Sequence, residues 1–159
     1  MTRLALVFVF LMAACAGSAA NEAPTQTITF TRAPCYGVCP VYRVTVNADG
    51  TGLFEGERFT AVTGQRRFTL TSAQWQAFIA KLAPYRPQGT LDINMENPAR
   101  CQLMATDHPS AIVTWAGGGR NDRLGFYFGC RDEGNRAMAQ ALEEAPGLLP
   151  IAEMIGPRR

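Results

Sequence analysis

The stretch Arg66-Arg67-Phe68-Thr69-Leu70-Thr71-Ser72-Ala73-Gln74-Trp75-Gln76-Ala77-Phe78-Ile79-Ala80-Lys81-Leu82 changes its hydrophobic period halfway along. Over 66–70 apolar and polar side chains alternate, as a strand with one buried face requires. From Trp75 onward the apolar residues fall at 75, 78, 79 and 82, the i, i+3, i+4, i+7 spacing of one helical stripe. Thr71 and Gln74 form a capping-box pair at the start of that helix, and Pro84 marks its end. A strand therefore runs directly into a helix.

Strand signals surround this junction. Residues 27–31 alternate. Residues 41–46 place Tyr42, Val44 and Val46 on one face, and Asn47-Ala48-Asp49-Gly50 then supplies a turn into a return strand carrying Leu53 and Phe54. On the other side, 86–99 holds Pro87, Gly89, Asn94, Asn97 and Pro98 and is predicted to be a long surface connection without regular structure. Residues 111–115 and 124–128 read as a hairpin joined by 117–122. A second helix is predicted over 135–145, with Met138, Ala141, Leu142 and Ala145 on one face and Pro146-Gly147 as its stop. The order ββββαββα implies an α+β domain, with a mainly antiparallel sheet of about six strands and two helices on one face. Residues 26–156 are expected to form this single domain.

The N-terminus carries an address. Arg3 precedes the apolar block 4–12, in the proportions of an export signal, and Leu11-Met12-Ala13-Ala14-Cys15 resembles the lipobox of bacterial lipoproteins. The expected organisation is a signal peptide over 1–14, lipidation at Cys15 and a tether over 15–25 that is small, polar and contains Pro24. The apolar block is far shorter than the ~20 residues of a spanning helix. The expected location is the bacterial cell envelope, as a palmitate-bearing lipoprotein anchored to the membrane and facing the periplasm. A cut after Ser18-Ala19-Ala20 would instead give a soluble periplasmic or secreted form. Charge adds no other anchor: the chain carries a formal net charge of +2, Arg3 included, with both signs mixed along it. No nucleic-acid or polybasic membrane footprint follows.

Five cysteines occur, and without Cys15 the even set Cys35, Cys39, Cys101 and Cys130 remains, as expected of an exported domain. Three pairings are compatible with the sequence. The self-contained segment Pro34-Cys35-Tyr36-Gly37-Val38-Cys39-Pro40 favours Cys35 with Cys39, leaving Cys101 with Cys130. Two prolines fix its ends and Gly37 permits a sharp turn. The run Cys35-Tyr36-Gly37-Val38-Cys39-Pro40-Val41-Tyr42 resembles the bacterial exported family called domain of unknown function 6438, whose members carry Cys-Tyr/Phe-Gly-x-Cys-Pro-x-Tyr at this place. The resemblance extends through Thr106-Asp107-His108-Pro109 and Tyr127-Phe128-Gly129-Cys130. It implies domain boundaries, and no reaction, substrate or cofactor.

The expected function is a non-catalytic binding or structural module whose partner is an envelope protein or polymer, with no cofactor, metal or nucleic acid. The class-distinct alternative is thiol–disulfide redox or copper handling through Cys35 and Cys39. Redox cysteines need a stabilised thiolate, typically Cys-x-x-Cys opening a helix, whereas here the spacing is Cys-x-x-x-Cys and a strand follows. Copper would need soft thiolates and a histidine, and His108 is the one histidine in the chain. A zinc site from the four cysteines lacks a second close pair. Asp107 beside His108 reads as a turn, and Gly117-Gly118-Gly119 lacks the Lys-Ser/Thr of a phosphate loop. Trp75, Trp115, Phe126 and Phe128 are expected in the core. Tyr127 has the opposite parity, which puts it on the open sheet face, with Arg43 and Arg123 as neighbours in prospect. Tyr36 and Tyr127 are the candidate surface-binding residues, and no catalytic residue is assigned.

Overall fold

The computed structural model describes residues 26–157. The expected signal peptide 1–14, lipidation site Cys15 and tether 15–25 lie outside the described residues.

Among the described residues seven strands form one sheet: β1 Thr27–Arg32, β2 Val41–Asn47, β3 Thr51–Arg58, β4 Gly64–Thr69, β5 Thr90–Ile93, β6 Ser110–Gly117 and β7 Arg120–Tyr127. Their order is β4-β3-β2-β1-β6-β7-β5, antiparallel throughout except for β5 beside β7. Alternation decides which face is buried. Ile28, Phe30, Val44, Val46, Phe54, Val113, Trp115, Leu124 and Phe126 all turn to one side and join a single apolar cluster.

The predicted helix is α1, Ser72–Leu82, with the capping box formed: the Thr71 hydroxyl accepts from the Gln74 amide at 3.2 Å, and Gln74 Oε1 accepts from the Thr71 amide at 2.9 Å. It buries Trp75, Phe78 and Leu82, with Ile79 half-buried at the margin. The second helix is α2, Arg136–Glu144, followed by a short α3, Ala152–Ile155. Lys81 of α1 and Glu144 of α2 pair at 2.8 Å where the two helices meet. Among the described residues no helix is long and apolar enough to cross a membrane.

Two expectations change. Strand β5 lies within 86–99, which reads as a connection in the sequence. Its strand state is imposed from outside by β7, because the Asp122 carboxylate accepts from Arg86 Nε at 2.6 Å and the Gly89 amide at 2.9 Å, and the Arg123 amide donates to Gly89 O at 2.8 Å. The hairpin turn is also tighter than 117–122, since β6 and β7 pair out to Gly117 opposite Arg120 around Gly118-Gly119. Both of those glycines have positive φ, as a two-residue hairpin loop demands.

Candidate functional site

The topology sorts the connections into two ends. At one end lie the start of β1 and the turns β2–β3 and β6–β7. At the other lie 33–40 after β1, 59–63 between β3 and β4, 94–109 after β5, and the chain leaving β7. The described chain begins with Gln26 and Thr27, at the first end. Both disulfides lie at the second: Cys35–Cys39, with Cα atoms 5.8 Å apart, and Cys101–Cys130, at 4.9 Å.

The six large apolar side chains most exposed among the described residues are Tyr36, Val38, Phe59, Met95, Leu103 and Met104, and all six lie on that second end. Tyr36 is 88% exposed at the tip of the Cys35–Cys39 loop, where Gly37 has φ 138°. Among the described residues nothing packs over this tyrosine to any extent. Phe59 holds φ 58°, a left-handed conformation that is costly for an aromatic residue, and the Arg58 guanidinium lies 6.0 Å from its ring centre. The turn that holds Phe59 is tight. A Cβ on Gly56 would come within 1.9 Å of Val62 O, and the amides of Ala61 and Val62 donate to Ile155 O and Met154 O at 3.1 and 3.0 Å.

Beside these loops a cavity of about 250 Å³ opens between Pro40, Tyr42, Pro146 and Ile155. Arg32 and Glu143 form an ion pair at 2.8 Å in its wall, and the Arg32 guanidinium sits 4.3 Å over the Phe128 ring. That end of the fold therefore combines projecting apolar groups with an apolar recess.

Cys35 and Cys39 are bonded to each other, and the next element is β2, entered through Pro40. His108 Nε2 is 3.0 Å from Arg131 Nη2. Tyr127 lies on the open face, as parity requires, but its hydroxyl donates to Ala105 O at 2.9 Å and its ring fills the space a Cβ on Gly129 would need. Segment 105–108 thus straps Tyr127 down, and it is not presented as Tyr36 is. Arg123 pairs with Asp92, whereas Arg43 is exposed opposite Thr31 and Glu55. Phe59, Met95, Leu103 and Met104 are not picked out by sequence reasoning. Their signal is apolar side chains within turn-rich segments, where a turn by itself needs none.

Asp122 is 3% exposed. The Gly89 amide above all, then Arg86 and Arg120, holds its carboxyl down to about 2 against the opposing effect of burial. Relative to an ordinary Asp at about 3.9, a depressed folded value adds stability above about pH 4 that is lost as pH falls through about 2. Urea midpoints measured from pH 5 to 2 are expected to fall more steeply in wild type than in Asp122→Asn, and parallel declines would show that Asp122 contributes nothing to acid sensitivity.

A family model described as domain of unknown function (DUF6438) matches residues 26–147. No curated protein and no solved structure matches the chain. The matched span runs from the start of β1 through α2 and takes in both disulfides, well over half of the sequence, and the chain belongs to the DUF6438 family.

Proposed function

We propose that this chain is a non-catalytic binding module of the bacterial cell envelope, anchored through lipidated Cys15 and presenting the end of the sheet farthest from the tether to an envelope protein. One observation carries the reading: the exposed apolar side chains gather at a disulfide-bearing end, while the chain leading from Cys15 enters at the other. Apolar groups held on a braced loop lose little entropy on binding, and tyrosine is a frequent anchor of protein interfaces. A protein partner suits these loops better than a polymer on the open face, because Tyr127, the aromatic that face would offer, is already strapped down.

The test places a photo-crosslinking residue at Tyr36, or at Thr45 on the open face, in cells that are then fractionated after palmitate labelling. Wild type is expected in the membrane fraction with label, and Cys15→Ala in the soluble fraction without it. Position 36 should give a discrete protein adduct and position 45 none. An unlabelled wild type would defeat the anchor, and equal yields from both positions would defeat the binding surface.

A further inference from the structure

The sheet has two edges, and they are treated differently. The β5 edge is four residues long, and Asn97 Nδ2 donates to the Asp92 carbonyl beside it at 2.8 Å. The β4 edge, Gly64–Thr69, is longer and its residues are exposed apart from Phe68.

The register shows which groups β4 presents. Leu70 N donates to Gly50 O at 2.8 Å, and the pairing continues as Gly52 with Phe68, Phe54 with Arg66 and Gly56 with Gly64. In an antiparallel ladder these are the pairs that bond to each other, so the amides and carbonyls of Gln65, Arg67 and Thr69 point away from β3. Among the described residues one partner meets them, Arg66 Nη1, which donates to Gln65 O at 3.1 Å. An edge of this kind is a template for another strand.

Its charge selects the strand. From Phe59 to Thr90 the sequence contains Arg66, Arg67, Lys81 and Arg86 and no Asp or Glu. Lys81 and Arg86 are paired, to Glu144 and Asp122; Glu55 of β3 is taken by Gln65 Nε2 at 2.9 Å, and Arg66 and Arg67 are the charges of β4 itself. Two copies of β4 set edge to edge would oppose these arginines, which disfavours self-pairing.

We infer that β4 is a docking edge for an extended acidic segment of a partner protein, which adds as an eighth strand through the outward groups of Gln65, Arg67 and Thr69 while its alternate carboxylates, on one face, meet Arg67. This surface is separate from the apolar loops, so the two readings fail independently.

The test adds the peptide acetyl-(Glu-Val)₃-amide to the isotopically labelled full chain and follows amide shifts and hydrogen exchange by NMR. Binding is expected to shift and protect the amides of Gln65, Arg67 and Thr69. Affinity should fall about tenfold in Arg67→Glu or with (Lys-Val)₃, and should be abolished when alternate peptide nitrogens are methylated. Arg67→Pro, which removes an outward donor and leaves the bonds to β3, should also lose it. No binding at millimolar peptide, insensitivity to methylation or charge reversal, or shifts centred on the apolar loops would overturn the inference. So would amides of β4 already protected in the free chain, because a segment of the chain itself would then hold the edge.

Discussion

Replacing Trp75 by Ala is expected to lower stability by roughly 3–5 kcal/mol, as truncation of a large aromatic in a core does. Trp75 is 7% exposed and belongs to the same cluster as Phe78, Leu82 and the buried face of the sheet. The cost has two parts. One is the lost transfer of the indole out of water; the other is the space left beneath α1, which is capped at Thr71 and tied to α2 by Lys81, so that it resists collapsing inward. Since domains are stable by about 5–15 kcal/mol, this is a large fraction of the whole. Urea titration of wild type and variant measures it, with Ile79→Ala as an internal comparison, because a half-buried member of the same stripe should lose clearly less. A loss under about 1 kcal/mol for Trp75→Ala would mean that α1 does not cover the sheet.

What was legible in the sequence was local. The change of period between Phe68 and Trp75, the Thr71 and Gln74 cap and the Asn47–Gly50 turn each act over a few residues, and each appears as read. The place of β1 was not legible. Thr27–Arg32 sits in the middle of the sheet between β2 and β6, a pairing that spans most of the chain, and alternation alone does not choose neighbours. β5 is not legible for another reason. Leu91 and Ile93 are too few to set a period, and the segment is drawn into the sheet by Asp122 and Arg123 of β7.

The same division holds for the candidate site. Tyr36 could be singled out because a proline-flanked cysteine loop has no interior in which to hide an aromatic. Parity assigns Tyr127 to the open face, which is its position on the strand, but parity says nothing of a distant segment folding over it. That Ala105 O and the Gly129 backbone confine Tyr127 depends on the pairing of Met104 with Cys130. Phe59, Met95, Leu103 and Met104 become one feature with Tyr36 only when the strand order brings their connections to one end.

The two disulfides give the remaining large expected effect, and they separate stability from display. Replacing Cys101 and Cys130 together by Ala is expected to cost about 3.5 kcal/mol, and replacing Cys35 and Cys39 about 2 kcal/mol, because constraint of the unfolded chain grows with the loop closed. The sequence separations are 29 and 4 residues. The longer loop has other attachments: Arg131 N donates to Leu103 O at 2.7 Å, the Asp132 carboxylate accepts from the Gln102 amide at 3.0 Å, and Asn135 Nδ2 donates to Arg100 O at 2.7 Å. Segment 94–109 should therefore stay docked in the folded variant, and the loss should appear as a lower urea midpoint with an unchanged fold. The short loop has the converse balance. Its bond stabilises less but restrains Tyr36, so Cys35→Ala with Cys39→Ala should keep most of the stability while weakening the position-36 adduct. Equal stability losses from the two pairs would show that the bonds do not act through chain entropy, and an undiminished adduct without the Cys35–Cys39 bond would show that this staple does not prepare the loop for binding.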